Sequence, residues 1–423
     1  MSNKRIFYAS QSVHLQPVST GNEGNYRKPS NFVQYGDGKW VLPRGLQSAG
    51  ISTTFNSTPV SQLGTLQVYS QTESVPQVEV TLNKVLDGTA PLYSLCTAGV
   101  DESDHTKLLA WNKNLTEITN NMVNVRFAVF SDTNSYATGL AQSYTLCSGM
   151  YLSRVNYSFP VEGTASEEVT LVGSSKVWAT GTALANAKVP STKANLTTDD
   201  NATPQGSGTD YVVRRQFIAL TGSVGSGVTY PTRSNDGKIT ALGCLVTHSI
   251  LPTGKGGIPS NNGETNDKLK VPMIQNITIS ANLGRENINE LGYFGPYYKY
   301  TTFPIEVTSE FQVISTSGDL VDAADFDTFS GCSSTDYHNL EDKEIAIKIC
   351  GLTSNDYMII DLGKKNKLTS VNYTGGDTGG GNATTTYSFQ TFNKLNILPT
   401  GDYMKYKTFT DGYSPDATVS SLT

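Results

Sequence analysis

The densest gathering of groups able to move a proton or hold a metal is Asp101-Glu102-Ser103-Asp104-His105, three carboxylates and an imidazole in five residues. It lies just ahead of an amphipathic run, where acids stabilise a first helical turn through its dipole and Ser103 or Asp104 would cap it. Asp319, Asp322, Asp325 and Asp327 form a second acidic series, without the Gly and closing Glu of a calcium-binding loop. Gly254-Lys255-Gly256-Gly257 lacks the first Gly and the Ser or Thr of a phosphate-binding loop and reads as a turn. Gly375-Gly376-Asp377-Thr378-Gly379-Gly380-Gly381 joins two alternating segments, which makes it a hairpin tip rather than a phosphate cradle. Lys364-Lys365-Asn366-Lys367 reads as a solvated turn. There is no GxSxG nucleophile elbow, and no isolated pair of carboxylates marks a glycosidase. The five cysteines and four histidines are scattered without CxxC spacing, so reduced structural thiols are expected rather than a zinc site or disulfides. The sequence thus predicts no catalytic residue, no metal and no cofactor.

One segment stands apart. Arg285, Glu286 and Glu290 are followed by five aromatics in eight residues: Tyr293, Phe294, Tyr297, Tyr298 and Tyr300. Such a cluster packs as a corner within the fold, anchors an interface, where Tyr and Arg are enriched, or stacks on carbohydrate. Arg285, Glu286, Glu290, Tyr297, Tyr298 and Tyr300 are therefore the candidate intersubunit or fold-corner contacts.

The elements that must position these residues are mostly strands. Period-2 alternation runs through 78–82, 155–161, 277–280, 305–308, 345–349 and 387–392, the mark of antiparallel strands with one buried and one polar face. A single helical stripe, Leu108, Trp111, Leu115, Ile118 and Met122, predicts one helix, and a helical turn is expected around Glu286–Leu291. Long polar connections fall at 181–210, 251–268 and 374–383. Two strand pairs, Tyr151–Phe159 with Val169–Trp178 and Ile274–Ser280 with Phe303–Ile314, resemble each other in pattern, with too little identity to establish duplication. The expected organisation is an N-terminal arm over 1–45, a β body over 46–395 and a C-terminal tail over 396–423. The body is one unit or two sandwiches, about 46–180 and 211–395, separated by the loop at 181–210.

Composition narrows the class. Only 16% of the 423 residues are charged, against roughly 25% in soluble proteins generally, yet the mean hydropathy is −0.29. Ser, Thr, Asn, Gly and Tyr fill the difference. With 22 Tyr, 15 Phe and 3 Trp the chain can bury a large core, so disorder is excluded. No run approaches the length of a membrane-spanning helix, and the first residues lack the apolar segment of a secretory signal. The first fifty residues hold six Lys or Arg and two acids, which leaves −10 on the remainder given a total of −6. A nucleic-acid reader needs a basic face, and an acidic wall repels phosphate instead.

Several stretches, in order, resemble the tail tube proteins of long-tailed bacteriophages. They are Pro43–Ser48, Gln62–Tyr69, Val75–Gly88, Tyr151–Gly163, Leu171–Trp178, Leu283–Gly292 with Gly295–Tyr300 and Phe303–Val307, and Leu368–Gly376. The resemblance spans residues 43 to about 393. It implies an all-β subunit, an antiparallel β-sandwich or partial barrel with one or two short helices and long loops. Such subunits form rings, usually of six, whose inner strands join into a barrel, and the rings stack into a hollow tube through which DNA passes. The implied partners are further copies of the chain, other tail proteins (baseplate, terminator or sheath) and DNA in the lumen without specific binding. The implied location is the virion, after synthesis in the bacterial cytoplasm. The chain is about twice the length of many tube proteins, which would suit two tube-like sandwiches or added outer loops. A low-copy baseplate or tail-tip protein and a carbohydrate-binding tail protein are the alternative readings.

Overall fold

The computed structural model describes residues 5–17, 39–97, 115–130, 141–180, 212–215, 218–221, 273–289, 291, 296, 298–315, 342–351, 357–376, 381–399, 403 and 407–410. Its strands in chain order are β1 (Gln11–Pro17), β2 (Lys39–Leu42), β3 (Leu46–Thr54), β4 (Ser57–Ser61), β5 (Val68–Glu73), β6 (Gln77–Val85) and β7 (Met122–Val129). They continue with β8 (Ser143–Pro160), β9 (Ser166–Gly173), β10 (Ser175–Thr180), β11 (Ile218–Thr221), β12 (Met273–Asn282), β13 (Arg285–Ile288) and β14 (Tyr298–Thr301). The last are β15 (Glu306–Ile314), β16 (Ala346–Cys350), β17 (Tyr357–Asp361), β18 (Lys367–Thr374), β19 (Thr384–Phe392), β20 (Asn396–Pro399) and β21 (Lys407–Thr410). Two short helices, α1 (Leu92–Thr97) and α2 (Leu115–Ile118), accompany them. The protein is all-β, and every pairing between strands is antiparallel among the described residues.

The 18-residue strand β8 organises the molecule. Its second half sits in the middle of eight strands in the order β3-β6-β9-β8-β12-β15-β19-β18. Its first half pairs with β10 on one side and with β7 on the other, from which β1, β2 and β21 follow. A separate sheet, β11-β16-β17-β20, shares one hydrophobic cluster with the large sheet. Alternation puts Val78, Val80 and Leu82 of β6, Tyr157 and Phe159 of β8, and Tyr387 and Phe389 of β19 into that cluster. The residues between them stay on the opposite face, as a period of two requires. Helix α1 is buried at all six positions, and the Tyr93 hydroxyl reaches Leu395 O at 3.5 Å. At the entry to β3, Gly45 has φ +71° and any Cβ there would stand 2.7 Å from Val85 O, so only glycine makes this turn.

The eight strands are two copies of one arrangement. Strands β3-β6-β9-β8 and β12-β15-β19-β18 each run, in space, first, second, fourth, third by chain order. The bulges repeat as well: Gln47 in β3 matches Gln275 in β12, and Ser153 in β8 matches Thr369 in β18. Aligning the bulges sets Leu46-Gln-Ser-Ala-Gly-Ile-Ser-Thr-Thr54 against Ile274-Gln-Asn-Ile-Thr-Ile-Ser-Ala-Asn282, and Leu152-Ser-Arg-Val-Asn-Tyr-Ser158 against Leu368-Thr-Ser-Val-Asn-Tyr-Thr374. In both copies a hairpin projects between the first and second strands, β4-β5 in one and β13-β14 in the other.

Several expectations change. The strand pairs that resembled each other, 151–178 and 274–314, are not counterparts, because β8-β9 is the second hairpin of its unit and β12-β15 is the first. Among the described residues of the expected helix, Leu115–Ile118 is helical and Met122 opens β7; residues 101–114, with Asp101–His105, lie outside the described residues. Among the described residues of Glu286–Leu291 there is no helical turn: residues Arg285–Ile288 pair with Tyr298–Thr301 as a hairpin. The expected arm at 1–45 contributes β1 and β2 to the large sheet, and the expected tail at 396–423 contributes β20 and β21. The loops at 181–210 and 251–268 and the four aspartates at 319–327 lie outside the described residues.

Candidate functional site

Among the described residues, the registers set long rows of hydrogen-bonding side chains on the polar face of the eight strands. One row crosses every strand: Ser48, Asn83, Glu168, Asn156, Ser280, Thr308, Gln390, Lys367. Next to it run Gly50, Thr81, Thr170, Arg154, Asn282, Glu306 and Phe392 on one side, and Ser166, Ser158, Thr278, Glu310, Ser388 and Ser370 on the other. The charges on this face are Glu79, Glu168, Glu306 and Glu310 against Arg154 and Lys367, and Lys367 is paired with Asp342 at 3.1 Å. Short hydroxyl and amide side chains offer donors and acceptors to water without a fixed strong charge. A surplus of carboxylates gives the face a weakly negative field.

Both edges of this sheet are open among the described residues: β3 pairs only with β6, and β18 only with β19. From the end carrying Thr54 and Asn282 both hairpins project. The longer one is exposed throughout 55–74 and carries Phe55, Val60, Leu63, Leu66, Val68 and Tyr69, with Leu63 and Leu66 fully in solvent. Lys176 of β10 donates to Thr53 Oγ1 at 2.6 Å, bracing the base of this arm. On the shorter hairpin Ile288, Leu291 and Tyr300 are exposed. Large exposed apolar side chains gathered on projecting hairpins are the kind of surface used for interaction.

The predicted contact residues divide. Arg285 is a clamp inside the fold: Nε donates to Leu152 O at 2.8 Å, Nη2 to Leu152 O and Thr119 O, and Nη1 to Lys299 O at 3.4 Å. Its guanidinium also lies over the Tyr151 ring, 5.2 Å from the centroid. It thereby ties the hairpin to the middle of β8. Glu286 is exposed and faces Tyr300 across the pair. Tyr298 stands opposite Ile288 in β14. Glu290 and Tyr297 lie outside the described residues, as do Tyr293 and Phe294.

A buried ionic network holds the first unit in shape. Glu167, fully buried on β9, accepts the backbone N–H of Leu92 at 2.6 Å and of Tyr93 at 2.8 Å, and the Tyr157 hydroxyl at 2.8 Å. Burial raises its carboxyl above the ordinary value, and these donors and nearby Lys84 oppose the shift. The buried Lys84 ammonium donates to Thr89 Oγ1 at 2.8 Å and Ala90 O at 2.7 Å, with Asp87 at 3.2 Å. Burial pushes the Asp87 carboxyl up, but Lys84 and the Thr89 donors outweigh it and leave its pKa lowered. Across β1 and β7, His14 is the direct neighbour of Arg126; burial first and that cation second hold its imidazole well below the usual value.

Glu167 and Lys84 are enclosed and engaged by these internal partners, so they position strands. Cys96, Cys147 and Cys350 are buried, and burial pushes the Cys147 thiol up to about 11. Among the described residues no three His, Cys, Asp or Glu are grouped to hold a metal, and no helix is long and apolar enough to cross a membrane. The exposed arm escaped the sequence reading. Its signal is Leu63 and Leu66 on either side of Gly64-Thr65, two large apolar residues at a turn where polar ones are usual. Neither family models nor curated proteins yield a match to this chain.

Proposed function

We propose that the chain is a structural subunit of a phage-type tail tube: copies join into rings, the rings stack, and the polar face of the eight-stranded sheet lines a channel for DNA. The observation that carries this reading is a sheet whose two edges are open among the described residues, with one face mostly of Ser, Thr, Asn and Gln under a small surplus of Glu. Closing the sheet around an axis removes edges that would otherwise recruit other chains. A lining of this kind stays hydrated and repels phosphate weakly, so DNA slides without the counterion-releasing contacts that would hold it. Heterologous contacts close by rotation, and the apolar arms leaving one end of the sheet supply adhesion along the axis. The tube belongs to a virion, with other tail proteins at its two ends.

Electron microscopy of the purified chain tests this. Rings or tubes with a central channel are expected. A protein that stays monomeric at high concentration, alone and with tail partners, overturns the reading.

A further inference from the structure

The chain contains its own model of an intermolecular joint. Its two four-stranded units meet where β8 pairs with β12, in a register running from Pro160 opposite Asn276 to Arg154 opposite Asn282. By the matched bulges, β18 is the counterpart of β8 and β3 the counterpart of β12. The two strands that form the internal seam in one pair of positions are thus, among the described residues, the two open edges in the other.

We propose that β18 of one copy pairs with β3 of the next in the register of the internal seam, so that each copy supplies two of the ring's repeating units. The inference deepens the tube reading and rests on it. Transferring the register places Tyr373 opposite Ile51 of the next copy, Asn372 opposite Ser52 and Val371 opposite Thr53. A ring of six units then closes with three chains.

Three observations carry the seam. The first is where identity between the units lies. Seam strands β3 and β12 share Gln, Ile and Ser at matched positions, and β8 and β18 share Leu, Val, Asn and Tyr. The interior strands β6 and β15 share only Val78 with Val307, and β9 and β19 share none. Residues kept on edges, where solvent tolerates change, are kept for a contact. The second is exposure. Tyr157 is 0% exposed within the internal seam and its counterpart Tyr373 is 52% exposed; Val155 is buried while Val371 is only half-buried. Edge-to-edge pairing covers both. The third is that the edges are unguarded. Strand β3 has no charge and no proline, and β18 has a single lysine at its first residue, where edges of monomeric sheets carry charges or proline against pairing. The bulges do not block it, because the internal seam accommodates the same ones.

The test is oxidative crosslinking of the full chain carrying Ser52→Cys and Asn372→Cys, assembled into particles. Directly opposed residues lie about 4.5–5.5 Å apart, within disulfide reach. A second variant, Thr54→Cys with Thr374→Cys, places its thiols four residues out of register, about 13 Å apart. Expected is a shift of the first variant, on a non-reducing gel, to a ladder ending at three chains and collapsing with reductant, while the second variant and the wild type remain single chains. Crosslinking by the second variant, or by neither in particles that show rings by microscopy, overturns the seam and leaves the tube reading standing. A ladder ending at six chains overturns the two-unit count. Absence of rings in the wild type overturns the tube reading, and this inference with it.

Discussion

The Tyr157 hydroxyl donates to Glu167 Oε1 across 2.8 Å, and neither residue reaches solvent. The same carboxylate takes the backbone amides of Leu92 and Tyr93. One side chain therefore joins β8, β9 and the start of α1. A hydrogen bond to a buried charged group contributes about 1.5–3 kcal/mol. Tyr157→Phe should lower unfolding stability by about 2 kcal/mol in a denaturant titration, without changing the strand content seen by circular dichroism. An unchanged denaturation midpoint would remove this bond from the account.

His14 sets a pH dependence. Its folded pKa lies below the unfolded value of 6.5, so its contribution is fully present above pH 6.5 and declines as pH falls towards the folded value. Glu167 works in the opposite sense: its raised folded pKa gives a contribution present below 4.5 and lost as pH rises through the folded value. Comparison with His14→Gln separates the two. The wild type should lose more thermal stability than the variant between pH 7 and 5, and parallel curves would refute the assignment.

The apolar arm should matter to assembly and not to folding. Leu63 and Leu66 make no use of the core, being fully exposed at the tip of the β4-β5 hairpin. Leu63→Ser with Leu66→Ser is expected to shift the unfolding free energy by no more than about 0.5 kcal/mol. The same variant should abolish tubes, as seen by light scattering and microscopy. Tubes of normal length from this variant would show that the arm has no part in stacking.

The acidic surplus on the polar face predicts weak interaction with DNA. Glu168→Lys with Glu310→Lys reverses two of its four carboxylates. Each new phosphate contact steepens the salt dependence of binding. The variant should retain duplex DNA in a low-salt mobility-shift assay and release it as salt rises, whereas the wild type retains none. Equal mobility in both would argue against this face meeting DNA.

Much of the sheet is readable from alternation, as in β6, β15 and β19, where every second residue is buried and most of those are apolar. Helix α1 is not, because Leu92-Tyr-Ser-Leu-Cys-Thr97 is buried on all sides and so has no polar stripe to give a period. Where a helical turn is expected at Glu286–Leu291, the chain forms the hairpin at Arg285 instead. Pairing with Tyr298–Thr301 and the clamp on Leu152 O hold the chain extended, and Glu286–Ile288 is exposed, without the all-round burial that offsets helix nucleation in the equally short α1. The duplicated architecture is not legible in the strand pairs that resemble each other, which are not counterparts, and residues shared by the true counterparts are nearly confined to two strands per unit. The order of hairpins, which no local pattern encodes, is what makes β8 the counterpart of β18.

Carrying two units on one chain changes the thermodynamics of the joint between β8 and β12. That joint forms during folding, so its strength is independent of protein concentration, as for any tethered pair of binding surfaces. Dilution dissolves only contacts between chains, and this contact is within one.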